Sequence, residues 1–538
     1  MTVRFIQEKQ TTDLGSVLIE VARQHRQRPA LWSKGKQLTY NDMFERASGI
    51  AHALVDKGNI GPNTQVAFLS DRTLTAYVSI IATLLAGATY VPLNPRFPVQ
   101  RNKEILEESG ACVLICDENN QKHVSELSEG LEALNLLVFP ESEVIEGLTI
   151  QQLGANTLSP RSLDIPTPCE KASSELAYLF FTSGSTGKPK GVPISHANVL
   201  AYLEGIKTVC SVGYDDRILQ IVDLTFDLSV HDMFLCWTSG SCLYSVPENA
   251  SLLCTRFVSE HDITFWLSVP STAGLIKQTG LLNVNCMPTL RQTFFCGEPL
   301  TGSVAEAWAE AAPNSDIYNI YGPTEATVAF SSSRYISGQI DPPAIVPLGW
   351  PFPGQKMALF ADCDERQQDF GEICLAGSQV MRGYWKAPEL TAQRMFQKEG
   401  ELWYRTGDLG RFNENQGYLY AGRLDHQVKI RGYRVELQEI EHVVRIMAKS
   451  DLVAVLPWSE ISDGPTMGCV AFAVNPKNDE NVSLRACRER LPEYMMPTRI
   501  FSLSEMPLNS NGKIDYVALL HHPLMDTLPV DVKRQRDH

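Results

Sequence analysis

The chain has 538 residues, 44% of them hydrophobic and 20% charged, with a formal net charge of −15. That length exceeds one ordinary domain and allows roughly two to four units that each bury a core. The acidic balance excludes a general nucleic-acid binder or anionic-membrane binder, because both need a basic face.

The start, "MTVRFIQEKQTTDLGS", lacks the basic, apolar, small-residue order of a secretory leader, so a retained N-terminus and a cytoplasmic location are expected. "YNDMFERASGIAHALVDKG" has helical apolar spacing and "TQVAFLS" reads as a strand. The uncharged residues 73–95 approach bilayer-spanning length. Internal Ser, Thr and Gly and two closing prolines instead predict a buried helix running into a short strand, with no stable membrane insertion. "ACVLICD", "LNLLVFP", "DRILQIV" and "ITFWLSVP" are short apolar runs between polar turns, the pattern of buried parallel strands in layered α/β architecture.

From about residue 342 the text turns to Gly/Pro-rich turns and short alternating strands such as "EICLAG" and "GYLYAG", which predicts a β-rich subdomain. "GRLDHQVKIRGYRVELQEIEHVVRIM" then runs from a charged turn through a strand into an amphipathic helix. The expected division is an N-terminal core over residues 1–424 and a small, mobile α+β domain over 425–538. In the latter "CVAFAV" reads as a strand and "LRACRERL" as a helix. The text closes soon after Lys513, so no fused downstream carrier domain is expected. The 13 cysteines form no CxxC pair and are expected to be reduced, mostly buried thiols.

Residues 178–196, "YLFFTSGSTGKPKGVPISH", look at first like a phosphate-binding P-loop. A Walker A loop would need a glycine at Thr182 and a Ser or Thr at Pro189, and Pro189 turns Lys188 away from helical geometry. A P-loop motor is therefore disfavoured.

The order "LLAGATYVPLNPRFP", "LAYLFFTSGSTGKPKG", "FDLSVHD", "FFCGEPL", "NIYGPTEATVA", "GEICLAGSQVMRGYW", "YRTGDLGR", "GRLDHQVKIRGYRVELQEIE", "NGKID" resembles the adenylate-forming superfamily. The likeness is strongest to the amino-acid adenylation domains of nonribosomal peptide synthetases and to the D-alanine carrier protein ligases. It implies attack of a substrate carboxylate on the α-phosphorus of ATP with Mg²⁺ present, then transfer to the phosphopantetheine thiol of a separate carrier protein. In the loop, the hydroxyls of Thr182, Ser183, Ser185 and Thr186 suit the β- and γ-oxygens, Gly184 and Gly187 allow close backbone approach, and Lys190 supports. The resemblance also assigns Gly297, Glu298, Asn319 and Gly322 to the ATP site, sets Tyr321 against adenine and puts Thr324 near the α-phosphate. Glu325 would bind Mg²⁺, and Asp408 with Arg423 would hold the ribose. Lys513 becomes the cation between the carboxylate and the α-phosphate, an interaction that gains from about 1 to about 4 kcal/mol as the site closes. Asp425 becomes a hinge, and Lys429, with residues 429–432, would come beside the incoming thiol. Two departures from the family pattern, Gln438 for glycine and Tyr516 for arginine, bear on partner docking rather than on chemistry.

Asp227 matches the aspartate with which amino-acid-activating members hold the substrate ammonium, a pair whose disruption costs about 2 to 5 kcal/mol. The same alignment lines the side-chain pocket with Leu228, His231, Leu267, Phe294, Cys296, Ile320, Val328 and Ala329. His231 reads either as a space-filling ring or as a polar contact. Leu267, Phe294 and Ile320 are bulkier than the usual residues of the D-alanine ligases, so glycine is expected first and alanine second. In this the chain resembles glycine carrier ligases of lipid A glycylation. The alternatives are a stand-alone peptide-synthetase enzyme for alanine or proline, a silent binding module, and a CoA ligase.

Overall fold

The structure, a computed structural model, describes residues 13–161, 175–184, 188–247, 254–338, 345–361, 364–367, 369–425, 427–450, 452–459, 466–508 and 514–528. Ser185, Thr186, Gly187 and Lys513 lie outside the described residues.

The architecture is mixed α/β with several sheets. A seven-stranded sheet holds Gln65–Leu69 and Thr89–Leu93 near its centre and ends on the antiparallel pair Leu176–Thr182 and Lys190–Ser195. Its interior strands are parallel. Gln65–Leu69 and Thr89–Leu93 are buried at every position, as a sheet covered on both faces requires. Residues 73–95 form the helix Leu74–Leu85 and the strand Thr89–Leu93, matching the buried reading of that run. No helix among the described residues is long and apolar enough to cross a membrane.

A nine-stranded sheet carries the parallel strands Arg217–Gln220, Phe265–Ser268, Gln292–Phe295 and Asp316–Tyr321 side by side. Each is a short strand of four to six residues that is largely buried despite polar residues such as Gln220, Gln292 and Asn319. The loops leaving their carboxyl ends carry Asp227, Val269, Cys296 and residues 322–329 into one crevice, where open α/β sheets bind ligands. One core cluster spans this sheet and the seven-stranded one, with Tyr90, Tyr178, Phe234 and Phe294 among its members.

Between Lys356 and Arg423 lies a six-stranded antiparallel sheet, in which the predicted strands appear as Phe370–Ala376 and Gly417–Arg423. Beyond it, Val453–Trp458, Gly468–Val474 and Pro497–Leu503 form a three-stranded sheet under the helices Leu437–Ala448 and Glu480–Cys487. The two hydrophobic clusters here draw only on residues 428–528. The 11 described cysteines are free thiols.

Two local expectations change. The single strand expected in "QVKIRGYRVE" is a hairpin, Gln427–Ile430 paired antiparallel with Tyr433–Glu436. Arg431 at φ +51° and Gly432 at φ +83° make its two-residue turn, the primed geometry that matches strand twist. The helix expected in "LRACRERL" is shifted earlier to Glu480–Cys487, because the Asp479 side chain caps it by accepting from the Val482 amide.

Candidate active site

The crevice at the strand ends encloses about 500 Å³ of empty space, part of it open to solvent. Asp227 is on its wall, at the N-terminal flank of the helix Leu228–Trp237, yet its side chain does not cap that helix. It is 4% exposed, and its Oδ2 has no hydrogen-bond partner among the described residues. Burial raises its pKa to about 7, against a downward pull from the Thr324 hydroxyl. A buried carboxylate with one unsatisfied oxygen on a cavity wall suits a cation.

The cavity is also lined by Tyr321, Gly322, Thr324, Gly297, Asp408 and Arg423. The Tyr321 hydroxyl donates to Asp408 Oδ2 at 2.7 Å, and Arg423 Nη1 bonds Asp408 Oδ1. Arg423 also donates to Asp425 at 2.7 and 3.0 Å, with Arg394 3.5 Å from the same carboxylate. Asp425 thus ends the strand Gly417–Arg423 in a guanidinium clamp, which after the cost of burial holds its pKa below the usual range. Asn319 is buried, its amide donating to the carbonyls of Val346 and Pro347.

The hairpin Gln427–Glu436 reaches into the same crevice. Lys429 lines the cavity, and burial lowers its pKa; no carboxylate lies within 4.0 Å of its ammonium among the described residues. Gly432 at the tip donates its amide to Glu298 Oε1 at 2.5 Å, while Glu298 Oε2 accepts from the Ser271 amide. A Cβ on Gly432 would stand 2.4 Å from Val269 Cγ1, so the tip admits no side chain. Tyr433 stacks on Phe226 and, at 3.9 Å, on Tyr494.

Behind the tip the hairpin engages the described part of the loop singled out in the sequence. Ser183 Oγ donates to the Arg434 carbonyl at 2.7 Å and accepts from the Glu436 amide. Lys190 is 3.2 Å from Glu436, and the Gly184 amide donates to Glu439 Oε2 at 3.1 Å. Thr182 Oγ1 is buried without a partner among the described residues. Arg101 forms a buried ion pair with the other oxygen of Glu439. Glu325, fully buried, accepts from the Tyr384 hydroxyl at 2.6 Å on Oε1 and from Arg434 at 2.6 Å on Oε2. Burial alone would raise its pKa, but Arg434, Lys190 and Tyr384 outweigh it and hold the carboxyl at about 2.

The residues assigned to the side-chain pocket divide in two. Asp227, Leu228, Cys296 and Val328 line the cavity. His231, Leu267, Phe294, Ile320 and Ala329 are buried at 1% exposure or less and do not reach it. Thr327 and Val328 hold φ of +61° and +68°, unusual for β-branched residues. Buried Gln379 clamps them: its carbonyl accepts from Thr327 Oγ1 at 2.7 Å, and its amide donates to the Ala329 carbonyl at 2.7 Å.

The structure therefore gathers 11 of the assigned residues on one crevice and adds Arg434, Thr406, Gln427 and Phe226, to which the sequence reading gave no role. Thr406 and Arg434 sit inside quoted motifs, "YRTGDL" and "GYRVE", so their proximity was legible in the text. Arg434→Ala leaves Glu325 buried without its guanidinium, and breaking such a pair costs about 3–5 kcal/mol. Hydrogen exchange of the 427–436 amides is expected to accelerate strongly in this variant while the 453–474 strands stay protected; equal protection of the hairpin would contradict the assignment.

The family described as AMP-binding enzyme matches residues 18–385. Gramicidin S synthase 1 of Brevibacillus brevis is 30% identical over 524 residues, 94% of this chain and 44% of its own length. Tyrocidine synthase 3 of Brevibacillus parabrevis is 34% identical over 497 residues, 90% of this chain and 7% of its own length. The chain spans less than half the length of these curated relatives. The crystal structure of the Vibrio cholerae adenylation domain AlmE in complex with glycyl-adenosine-5'-phosphate is similar at a TM-score of 0.85 and 32% identity, covering 97% of this chain and 99% of that one. The chain therefore belongs to the AMP-binding enzymes of the adenylate-forming superfamily, with peptide-synthetase adenylation domains among its homologues.

Proposed function

We propose that the protein activates a small amino acid, glycine first, as its aminoacyl-AMP and passes the aminoacyl group to the phosphopantetheine thiol of a separate carrier protein. The observation that carries this reading is a cavity on which Asp227, with one oxygen lacking a partner among the described residues, stands with Leu228, Cys296 and Val328, while the other assigned pocket residues are buried off it. It leaves room for an ammonium and almost no side chain. The glycyl-adenylate bound by the similar AlmE supports the choice of glycine. A carrier that serves cell-envelope modification, such as lipid A glycylation, rests on the resemblance to glycine carrier ligases.

In this reading Asp227 binds the substrate ammonium. A carboxylate oxygen attacks the α-phosphorus of ATP, and the bond to the β-phosphate oxygen breaks to release pyrophosphate. Tyr321, Asp408 and Arg423 hold the nucleoside, and Lys513 bridges the two anions. The ionised Glu325 suits a hard divalent cation, with Mg²⁺ supplying charge neutralisation to the phosphates when bound. Both Glu325 oxygens are already engaged, however, by Tyr384 and Arg434. Gly184, Ser183 and Lys190 are likewise engaged by residues 434–439. Adenylation thus requires the hairpin to leave, and thioester formation has it in place with Lys429 beside the acyl group. We assign this exchange to a domain boundary and hinge at Asp425.

Pyrophosphate exchange across the standard amino acids, D-alanine, β-alanine and aryl acids is expected to be strongest with glycine and weaker with alanine. Strong exchange with an aryl acid and none with any amino acid would sink the proposal. Because Asp227 must be ionised to pair with an ammonium and has a pKa of about 7, kcat/KM for glycine should fall about tenfold per pH unit below that value. A profile flat down to about pH 5.5 would contradict that role. Lys513→Ala is expected to lose about 10²–10³-fold in adenylation yet still transfer from preformed glycyl-adenylate; equal loss in both steps would rule out the exchange of states.

A further inference from the structure

Five assigned pocket residues stand behind the cavity rather than on it, and one of them, His231, is bonded to a side chain on another helix. Tyr202, on the helix His196–Ile206, is fully buried, and its Oη is hydrogen-bonded to His231 Nδ1 at 2.5 Å. His231 is 1% exposed, and burial lowers its pKa to about 3, so the ring is neutral at any working pH. Its centroid lies 5.3 Å from Phe294, which stacks at 5.4 Å on Tyr318. Tyr202 packs in turn on Phe352 at 6.4 Å. A continuous aromatic wall therefore runs behind Cys296 and Val328, and the Tyr202–His231 hydrogen bond joins its two helices within that wall.

We propose that Tyr202 is a positioning residue for substrate size: by anchoring His231 against Phe294 it keeps the cavity closed to side chains larger than that of glycine. This rests on the proposed activation of a small amino acid. Tyr202 touches no substrate atom and acts through His231. The polar link suits the task, because a neutral imidazole held at one nitrogen is restricted in rotation, where an aliphatic side chain would be free to shift and admit a methyl group. Removing one partner of a buried hydrogen bond strands the other, whereas replacing both by apolar groups is close to neutral. That asymmetry separates an anchoring bond from mere packing.

The test measures kcat/KM in pyrophosphate exchange for glycine, L-alanine, D-alanine and L-serine in the full chain. Tyr202→Phe should raise the alanine-to-glycine ratio about tenfold, the scale of one methyl group in an apolar pocket, mainly through a lower KM for alanine. His231→Leu strands the hydroxyl instead and should give a similar rise, which covers failure of the first variant to fold. The double variant should return the ratio toward that of the parent. Unchanged ratios in folded single variants, or effects that add in the double variant, would overturn the inference. A parent enzyme with no amino-acid-dependent exchange would defeat the proposed function instead, so the two failures are distinguishable.

Discussion

The ionised carboxylate of Glu325, buried in the short helical turn that follows the strand Asp316–Tyr321, is the constraint around which the crevice is assembled. A charge in that position must be compensated, and the compensation comes from three distant parts of the chain: Lys190 of the phosphate-loop pair, Tyr384 near the β-rich sheet, and Arg434 of the C-terminal hairpin. One carboxylate therefore couples the seven-stranded sheet, the nine-stranded sheet and the last domain-sized segment. The neighbouring contacts repeat the pattern, with Glu436 on Lys190 and Glu439 on the Gly184 amide. Acidic groups of the C-terminal segment occupy what the resemblance assigns to phosphate oxygens, and its guanidinium occupies what it assigns to the metal. The two states of the proposed reaction would draw on the same groups in turn.

The second constraint is the shape of the cavity. Two β-branched residues in left-handed backbone, Thr327 and Val328, are held by Gln379 from the β-rich region, so the wall at Val328 cannot relax outward without breaking bonds to the backbone carbonyl and the side-chain amide of Gln379. Behind it, the aromatic series from Tyr202 through His231 to Phe294 removes the remaining space. Under the proposed function, side-chain selection is a matter of steric closure more than of contact, consistent with how weakly an apolar pocket rejects a smaller competitor.

Much of this was legible in the text. Asp227 could be picked out because "FDLSVHD" resembles the motif in which amino-acid-activating members hold an ammonium, and the buried helix and strand of residues 73–95 followed from their interruptions and closing prolines. Arg434 and Glu439 were passed over because an isolated charge in an amphipathic stretch reads as solvated surface; nothing local says that it will be buried against a partner more than a hundred residues away. Tyr202 was passed over for the same reason, its helix offering only ordinary apolar spacing. The hairpin was read as one strand because alternation alone does not mark where a chain turns back, and the positive φ at Arg431 precedes the glycine that does.

The sequence by itself determined the layered α/β class, the family, and the residue types of the chemistry, since buried parallel strands need continuous apolar runs and phosphate and ammonium recognition need particular short motifs. Tertiary structure alone decided which of the assigned residues face the cavity, which are held behind it, and which partners the buried charges find. Those outcomes depend on distances between segments far apart in the chain, and local sequence carries no record of them.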